Sequence, residues 1–172
     1  ETINQIHRMA QDCTVEVLTP DFQGYLPSLN KVFEARPEIF SHNVECVERV
    51  SKKVRSQSIW QRTKSVLQAS IEFGLPTKTG LMVGLGETDD EVLATMQEMA
   101  DLGVEIFNVG QYLQPTKDHL PVDRFVHPDV FAMFKEKGLA MGFKVVESGP
   151  LVRSSYHADE QAKMYAVKSN HA

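Results

Sequence analysis

Cysteine is scarce in this sequence: Cys13 and Cys46 are the only two, far apart and in no CxxC arrangement. That argues against a secreted disulfide scaffold and against a self-contained zinc or iron–sulfur site, and it fits a reducing compartment. Long apolar runs are missing too, and no stretch approaches the length that spans a bilayer. Positive charge is not in excess, since the formal net charge is −5, which gives no field for seizing a phosphate backbone. Neither nucleic acid nor membrane is therefore an expected partner. The chain opens on Glu1 and enters an amphipathic stretch at once, with neither the basic n-region nor the apolar h-region of a signal peptide in its opening residues, a start that reads as a cut. What is present suits one globular domain, with 172 residues, 42% hydrophobic and 24% charged.

The pattern along the chain alternates strand and helix. Val15 to Leu18 is a short β-prone run closed by Pro20-Asp21, and Leu26, Leu29, Val32 and Phe33 then recur at helical spacing until Pro37. Ile39-Phe40 begins a second unit, whose helix carries Val66, Leu67, Ser70, Ile71 and Phe73 and ends at Gly74. The third is a buried strand from Thr79 to Val83, with a capping box at Thr88-Asp89-Asp90-Glu91 ahead of Val92, Leu93, Met96, Met99 and Leu102. The fourth runs from Val104 to Phe107, then through a long loop to a helix starting at Pro128 and ending at Gly142. Lys144 to Val146 is a last strand. Such a series implies a parallel sheet with right-handed crossovers, either part of a barrel or doubly wound, and periodicity alone does not separate these.

In both architectures the working edge is where strands end. The residues there are Pro20-Asp21-Phe22, His42-Asn43 with Glu45, Gly84 to Glu87, Gln111 to Pro115, and Ser148-Gly149-Pro150 leading to Arg153-Ser154-Ser155-Tyr156-His157. Gly84 and Gly86 could present backbone N–H groups to an anion, or they could serve a turn needing positive φ. Glu87 beside them would repel a phosphate. Asn43 suits a hydroxyl pair and Arg55 a carboxylate, or they are a cap and part of a solvated basic face with Lys52 and Lys53. Lys78 is a rim charge or a snorkelling side chain. His119, His127 and His157 lack metal-ligand spacing.

Taken in order, Val15-Glu16-Val17-Leu18-Thr19-Pro20-Asp21-Phe22, His42-Asn43-Val44-Glu45, Thr77-Lys78-Thr79-Gly80-Leu81-Met82-Val83-Gly84-Leu85-Gly86-Glu87-Thr88, Gly110-Gln111-Tyr112-Leu113-Gln114-Pro115 and Gly149-Pro150-Leu151-Val152-Arg153-Ser154-Ser155-Tyr156-His157-Ala158 resemble the pattern of lipoyl synthases. The resemblance covers nearly the whole chain. It implies an α/β fold, a partial (β/α) barrel of radical S-adenosylmethionine type, with only its C-terminal strand–helix units present: 1–148 as barrel and 149–172 as a tail carrying the Arg-Ser-Ser-Tyr motif.

The family implies two [4Fe-4S] clusters, one that cleaves S-adenosylmethionine and one consumed as the sulfur source. A 5′-deoxyadenosyl radical removes hydrogen at C6 and C8 of a protein-bound octanoyl chain, and sulfur enters at each carbon. Within the tail motif a serine is the fourth iron ligand of the sulfur-donating cluster, which points to Ser155, with Ser154 as the second choice. An oxygen ligand is displaced more easily than a thiolate as a cluster is dismantled. Arg153 would add positive charge near that cluster or fix the tail. Asn43 and Glu45 are expected near the ribose or amino group of the cofactor and Arg55 near its carboxylate, with Gln111 and Tyr112 on the rim and Gly84 admitting close backbone approach.

The implied partners are an octanoylated lipoyl carrier domain or H protein and an iron–sulfur delivery protein, in the cytoplasm or, in a eukaryote, the mitochondrial matrix. The family's two cysteine sets belong upstream of the first strand and are not in this chain, so these residues alone are expected to be inactive. Cys46 stands where the family more usually has threonine and reads as a small buried residue. Two rival readings are a non-catalytic module that docks a carrier protein and an unrelated α/β enzyme taking a phosphate ligand at Gly84-Gly86. A sheet lacking upstream strands would also expose a parallel edge prone to self-pairing.

Overall fold

The computed structural model describes residues 1–166. After a first helix α1 (Thr2–Met9), the chain runs β1 (Glu16–Leu18), α2 (Leu26–Glu34), β2 (Ile39–Ser41), α3 (Glu48–Val54), α4 (Trp60–Glu72), β3 (Thr77–Val83), α5 (Asp89–Leu102), β4 (Ile106–Gln111), α6 (Pro128–Met141), β5 (Val145–Gly149) and α7 (Ala158–Ala166). All five strands are parallel and lie in the order β1-β2-β3-β4-β5. That order never reverses, so the sheet has no topological switch point and has the winding of a (β/α) barrel segment rather than of a doubly wound sheet. β1 and β5 are its outer strands.

Local chemistry sets most element ends. The side chain of Thr88 accepts from the Glu91 N–H while the Glu91 carboxylate accepts from the Thr88 N–H, a complete capping box at the head of α5. Pro128 occupies the first turn of α6 behind a capping His127. Gly103 and Gly142 end α5 and α6 in the left-handed region, at φ 100° and 106°, where a Cβ would be strained.

Register divides the side chains cleanly between two faces. Val17, Phe40, Leu81, Val83, Phe107, Val109 and Val146 share the face that carries α2 to α6, where they pack with Leu29, Phe33, Leu67, Met96, Met99, Phe131 and Phe134. Each fully buried Phe there contributes on the order of 2–3 kcal/mol of transfer free energy. The opposite face carries Glu16, Ile39, Ser41, Lys78, Gly80, Ile106, Asn108, Gly110 and Val145. α7 packs on this second face, where Ala162 and Tyr165 join Ile39, Ile106 and Val145 at the starts of three strands.

Several boundaries differ from the sequence expectation. β4 starts at Ile106 and continues through Gln111, beyond the Val104-to-Phe107 run, because its ladder with β3 holds Asn108 and Gly110 in place despite their poor strand preference. β3 begins at Thr77 rather than Thr79, and β5 extends to Gly149. α3 is an additional helix, too short at Glu48–Val54 to show an apolar period. The tail folds back over the sheet as a turn and then α7. Residues 167–172 of that tail lie outside the described residues.

Candidate functional site

A cleft of about 1190 Å³ opens at the ends of β1 and β2. Its walls come from Leu18–Gln23, from His42–Glu45 and from the segment joining α3 to α4 with Arg62 and Thr63 of α4. Three of the residues singled out in the sequence, Asn43, Glu45 and Arg55, meet here.

Glu45 owes its place to backbone geometry. It adopts φ 69°, uncommon for a residue with a Cβ, and is held there by a bridge to β3, its N–H donating to the Gly80 carbonyl at 3.1 Å and its carbonyl accepting from Met82 at 2.9 Å. A non-glycine residue kept in this region by its surroundings is a feature found at binding sites. Its carboxylate pairs with Arg55 Nη1 at 3.3 Å. Burial pushes the Glu45 carboxyl above its usual range, and Arg55 and Asn43 pull it back in part. One guanidinium N–H faces Glu45, which leaves the rest of the Arg55 fork to a ligand.

The cleft has a second acid–base pair in Asp21 and Arg62. Arg62 Nε donates to Asp21 Oδ2, and Arg62 Nη2 to the Gln57 carbonyl. Burial alone would raise the Asp21 carboxyl, but the Gln23 N–H and the Arg62 guanidinium outweigh it and hold the group below its usual value. His42, 6% exposed, sits between the two pairs with Nδ1 2.9 Å from the Thr19 carbonyl. A carbonyl accepts only, so the ring carries its proton on Nδ1 and leaves Nε2 as an acceptor. Burial lowers its pKa, which favours the neutral imidazole. Arg62 was not singled out in the sequence, since nothing in a helix's first turn announces a partner some forty residues upstream.

The remaining predicted rim residues brace the rim itself. Gly84, at φ +98°, faces a full space: a Cβ there would collide with Gln111 Nε2 and the Arg124 carbonyl. Gln111 is buried, its Nε2 reaching the carbonyls of Val83, Tyr112 and Arg124 and its Oε1 accepting from the Val126 N–H. Tyr112 donates its hydroxyl to the Leu120 carbonyl at 2.9 Å. The backbone N–H groups of Gly84 and Leu85 are taken by the two oxygens of Glu87, at 2.8 and 2.9 Å. The chain's own carboxylate fills the turn that a phosphate would have used, with Arg124 alongside.

Lys78 is neither rim charge nor snorkelling chain: it is buried, its ammonium 3.0 Å from the Glu16 carboxylate. Ser155 is exposed and Ser154 half-buried, in a turn after β5. Cys46 is 1% exposed, and burial pushes its thiol up to about 12, so it is protonated and inert. Cys13 is exposed. Among the described residues no three His, Cys, Asp or Glu side chains are arranged to hold a metal ion, and no helix is long and apolar enough to cross a membrane.

No family model matches the chain. Curated proteins do. The chain is 49% identical over 164 residues to the lipoyl synthase of Rubrobacter xylanophilus, covering 94% of this chain and 51% of that protein. It is 48% identical over 161 residues to that of Flavobacterium johnsoniae, covering 93% and 56%, and 50% identical over 164 residues to that of Koribacter versatilis, covering 94% and 54%. The chain spans about half the length of these relatives. Identity near one half over more than nine-tenths of the chain places it in the lipoyl synthase family.

Proposed function

We propose that the protein from which this sequence comes is a lipoyl synthase acting by radical S-adenosylmethionine chemistry on an octanoyl chain carried by a lipoyl domain or H protein. In this reading the present residues supply the cofactor cleft and one iron ligand, and the cysteine ligands come from elsewhere in the parent. The observation that carries it is the identity to lipoyl synthases over more than nine-tenths of the chain.

The cleft chemistry agrees with that cofactor. S-adenosylmethionine carries a sulfonium cation, an α-amino group, a carboxylate, a ribose diol and adenine, and the cleft offers Glu45 and Asp21 to cations, Arg55 to the carboxylate and Asn43 to hydroxyls. The two clusters, when bound, supply the electron that starts the reaction and the sulfur that ends it. Ser155 fits the role of a ligand to the second: its side chain is exposed on a turn whose backbone is held from below. The occupied Gly84–Glu87 turn removes the basis for a phosphate-binding reading.

The test uses the full-length parent, reconstituted anaerobically with iron and sulfide. Wild type should hold about eight irons, as two four-iron clusters require, and form lipoyl groups on an octanoylated carrier domain. Ser155→Ala should lose sulfur insertion while still cleaving S-adenosylmethionine. A parent that binds no cluster would overturn the reading.

A further inference from the structure

Buried polar contacts converge on the turn that bears Ser155, and they come from both the sheet and α7. Lys78 is 1% exposed, and its ammonium donates to Glu16 at 3.0 Å and to Gln161 Oε1 at 2.8 Å. An ammonium only donates, so the Gln161 amide must turn its oxygen to Lys78 and its NH2 away. That NH2 meets the carbonyl of Tyr156 at 3.1 Å. On β4, Asn108 sends its Nδ2 to the carbonyls of Arg153 at 3.1 Å and Ser154 at 3.4 Å. Two residues further along the same face, Gly110 lets the Val152 carbonyl lie directly on the strand, where any Cβ would collide with it.

The carbonyls before and after Ser155 are thus seated on groups that are themselves fixed. Gln161 is 2% exposed and Asn108 is 5% exposed. Ser155 itself is exposed, and its hydroxyl has no hydrogen-bond partner among the described residues. A backbone clamped on both sides of a free hydroxyl is what a weak oxygen ligand needs, because only its position lets it compete with water for iron.

We propose that Asn108 and Gln161, the latter oriented by the buried Lys78–Glu16 pair, are positioning residues that hold the turn so that the Ser155 hydroxyl reaches the cluster iron. The proposal rests on the reading of Ser155 as that ligand. Neither residue touches the cluster; each acts on the backbone of the tail. The relay also couples the sulfur-donating end of the molecule to β1 and β3, since Glu16 and Lys78 belong to those strands.

Two substitutions isolate the clamp from the fold. Gln161→Glu keeps an acceptor for Lys78 and removes the donor to Tyr156, while Asn108→Leu removes the donor to Arg153 and Ser154 and keeps the branching and number of side-chain heavy atoms. In the full-length parent with both clusters loaded, wild type, Ser155→Ala, Gln161→Glu and Asn108→Leu are compared by Mössbauer spectroscopy of the sulfur-donating cluster. Amide exchange of residues 153–157 and the melting temperature are measured alongside. Both clamp variants should keep S-adenosylmethionine cleavage and a cooperative melting transition within roughly 10 °C of wild type. They should exchange the turn amides about tenfold faster, the population change expected for one lost hydrogen bond, and shift the cluster spectrum toward that of Ser155→Ala. If Ser155→Ala leaves the spectrum unchanged, the ligand reading fails and this proposal with it. If Ser155→Ala alters the spectrum and the folded clamp variants do not, the ligand reading stands and the positioning role is overturned.

Discussion

The carboxylate of Glu87 turns back on its own strand end, with Oε1 2.8 Å from the N–H of Gly84 and Oε2 2.9 Å from that of Leu85. A pair of adjacent N–H groups in a strand-to-helix turn invites an anion, and here the anion is covalently supplied. Arg124 then bridges Glu87 and Asp89, tying the long loop after β4 to the turn after β3.

Removing that carboxylate should be costly. Glu87→Ala leaves two buried N–H groups without an acceptor and Arg124 with one acid partner instead of two. The expected loss is about 2–4 kcal/mol. In a chain of this size that is a fall of roughly 5–15 °C in melting temperature, measurable by circular dichroism. A shift within a degree of wild type would mean that the turn is held by its glycines and not by Glu87.

His42 sets a pH dependence. Burial depresses its pKa below the ordinary 6.5, with the Thr19 carbonyl and Asp21 opposing and Arg55 and Arg62 reinforcing. Below about pH 6.5 the unfolded chain takes up a proton that the folded protein does not, so stability is full above that value and falls as pH drops toward the depressed folded pKa. One such proton gives a slope of at most about 1.4 kcal/mol per pH unit. Urea titrations between pH 7.5 and 5.5 should show this slope in wild type and a flatter one in His42→Gln. An identical slope in the two proteins would assign the effect to other groups.

Arg55 should discriminate between carboxylate recognition and a purely internal ion pair. In the parent protein Arg55→Ala is expected to weaken S-adenosylmethionine binding about ten- to a hundredfold, the range for losing a charge-assisted hydrogen bond. Arg55→Lys should recover only part of that, because it keeps the charge and loses the fork. Calorimetric titration of the unreduced protein reads this directly. Unchanged affinity in Arg55→Ala would move the cofactor's carboxylate elsewhere in the cleft.

Much of the scaffold was legible in the sequence because its signals are local. The Thr88–Glu91 capping box, Pro128 in a first turn and the terminal glycines Gly103 and Gly142 act within a few residues of themselves, and each was found as expected. Asn43 and Glu45 were placed on one rim by the rule that strand ends converge on one edge, whereas Arg55, which follows α3, was joined to them only by the family resemblance. β4 was misjudged at its end because Asn108 and Gly110 carry no strand preference of their own. They are strand residues because β3 and β5 pair with them on both sides.

The sequence by itself determined the alternation of strand and helix, the caps and the ordered motifs of the family, since all of these depend on spacing along the chain. Only the tertiary structure decided that the sheet is wound in one direction, that Glu87 occupies the glycine turn, that Gln111 faces inward, and that Lys78 meets Gln161 across the face where α7 lies. Those relationships join residues tens of positions apart through strand register, and a charge such as Lys78 reveals its partner only when burial removes the water that would otherwise satisfy it.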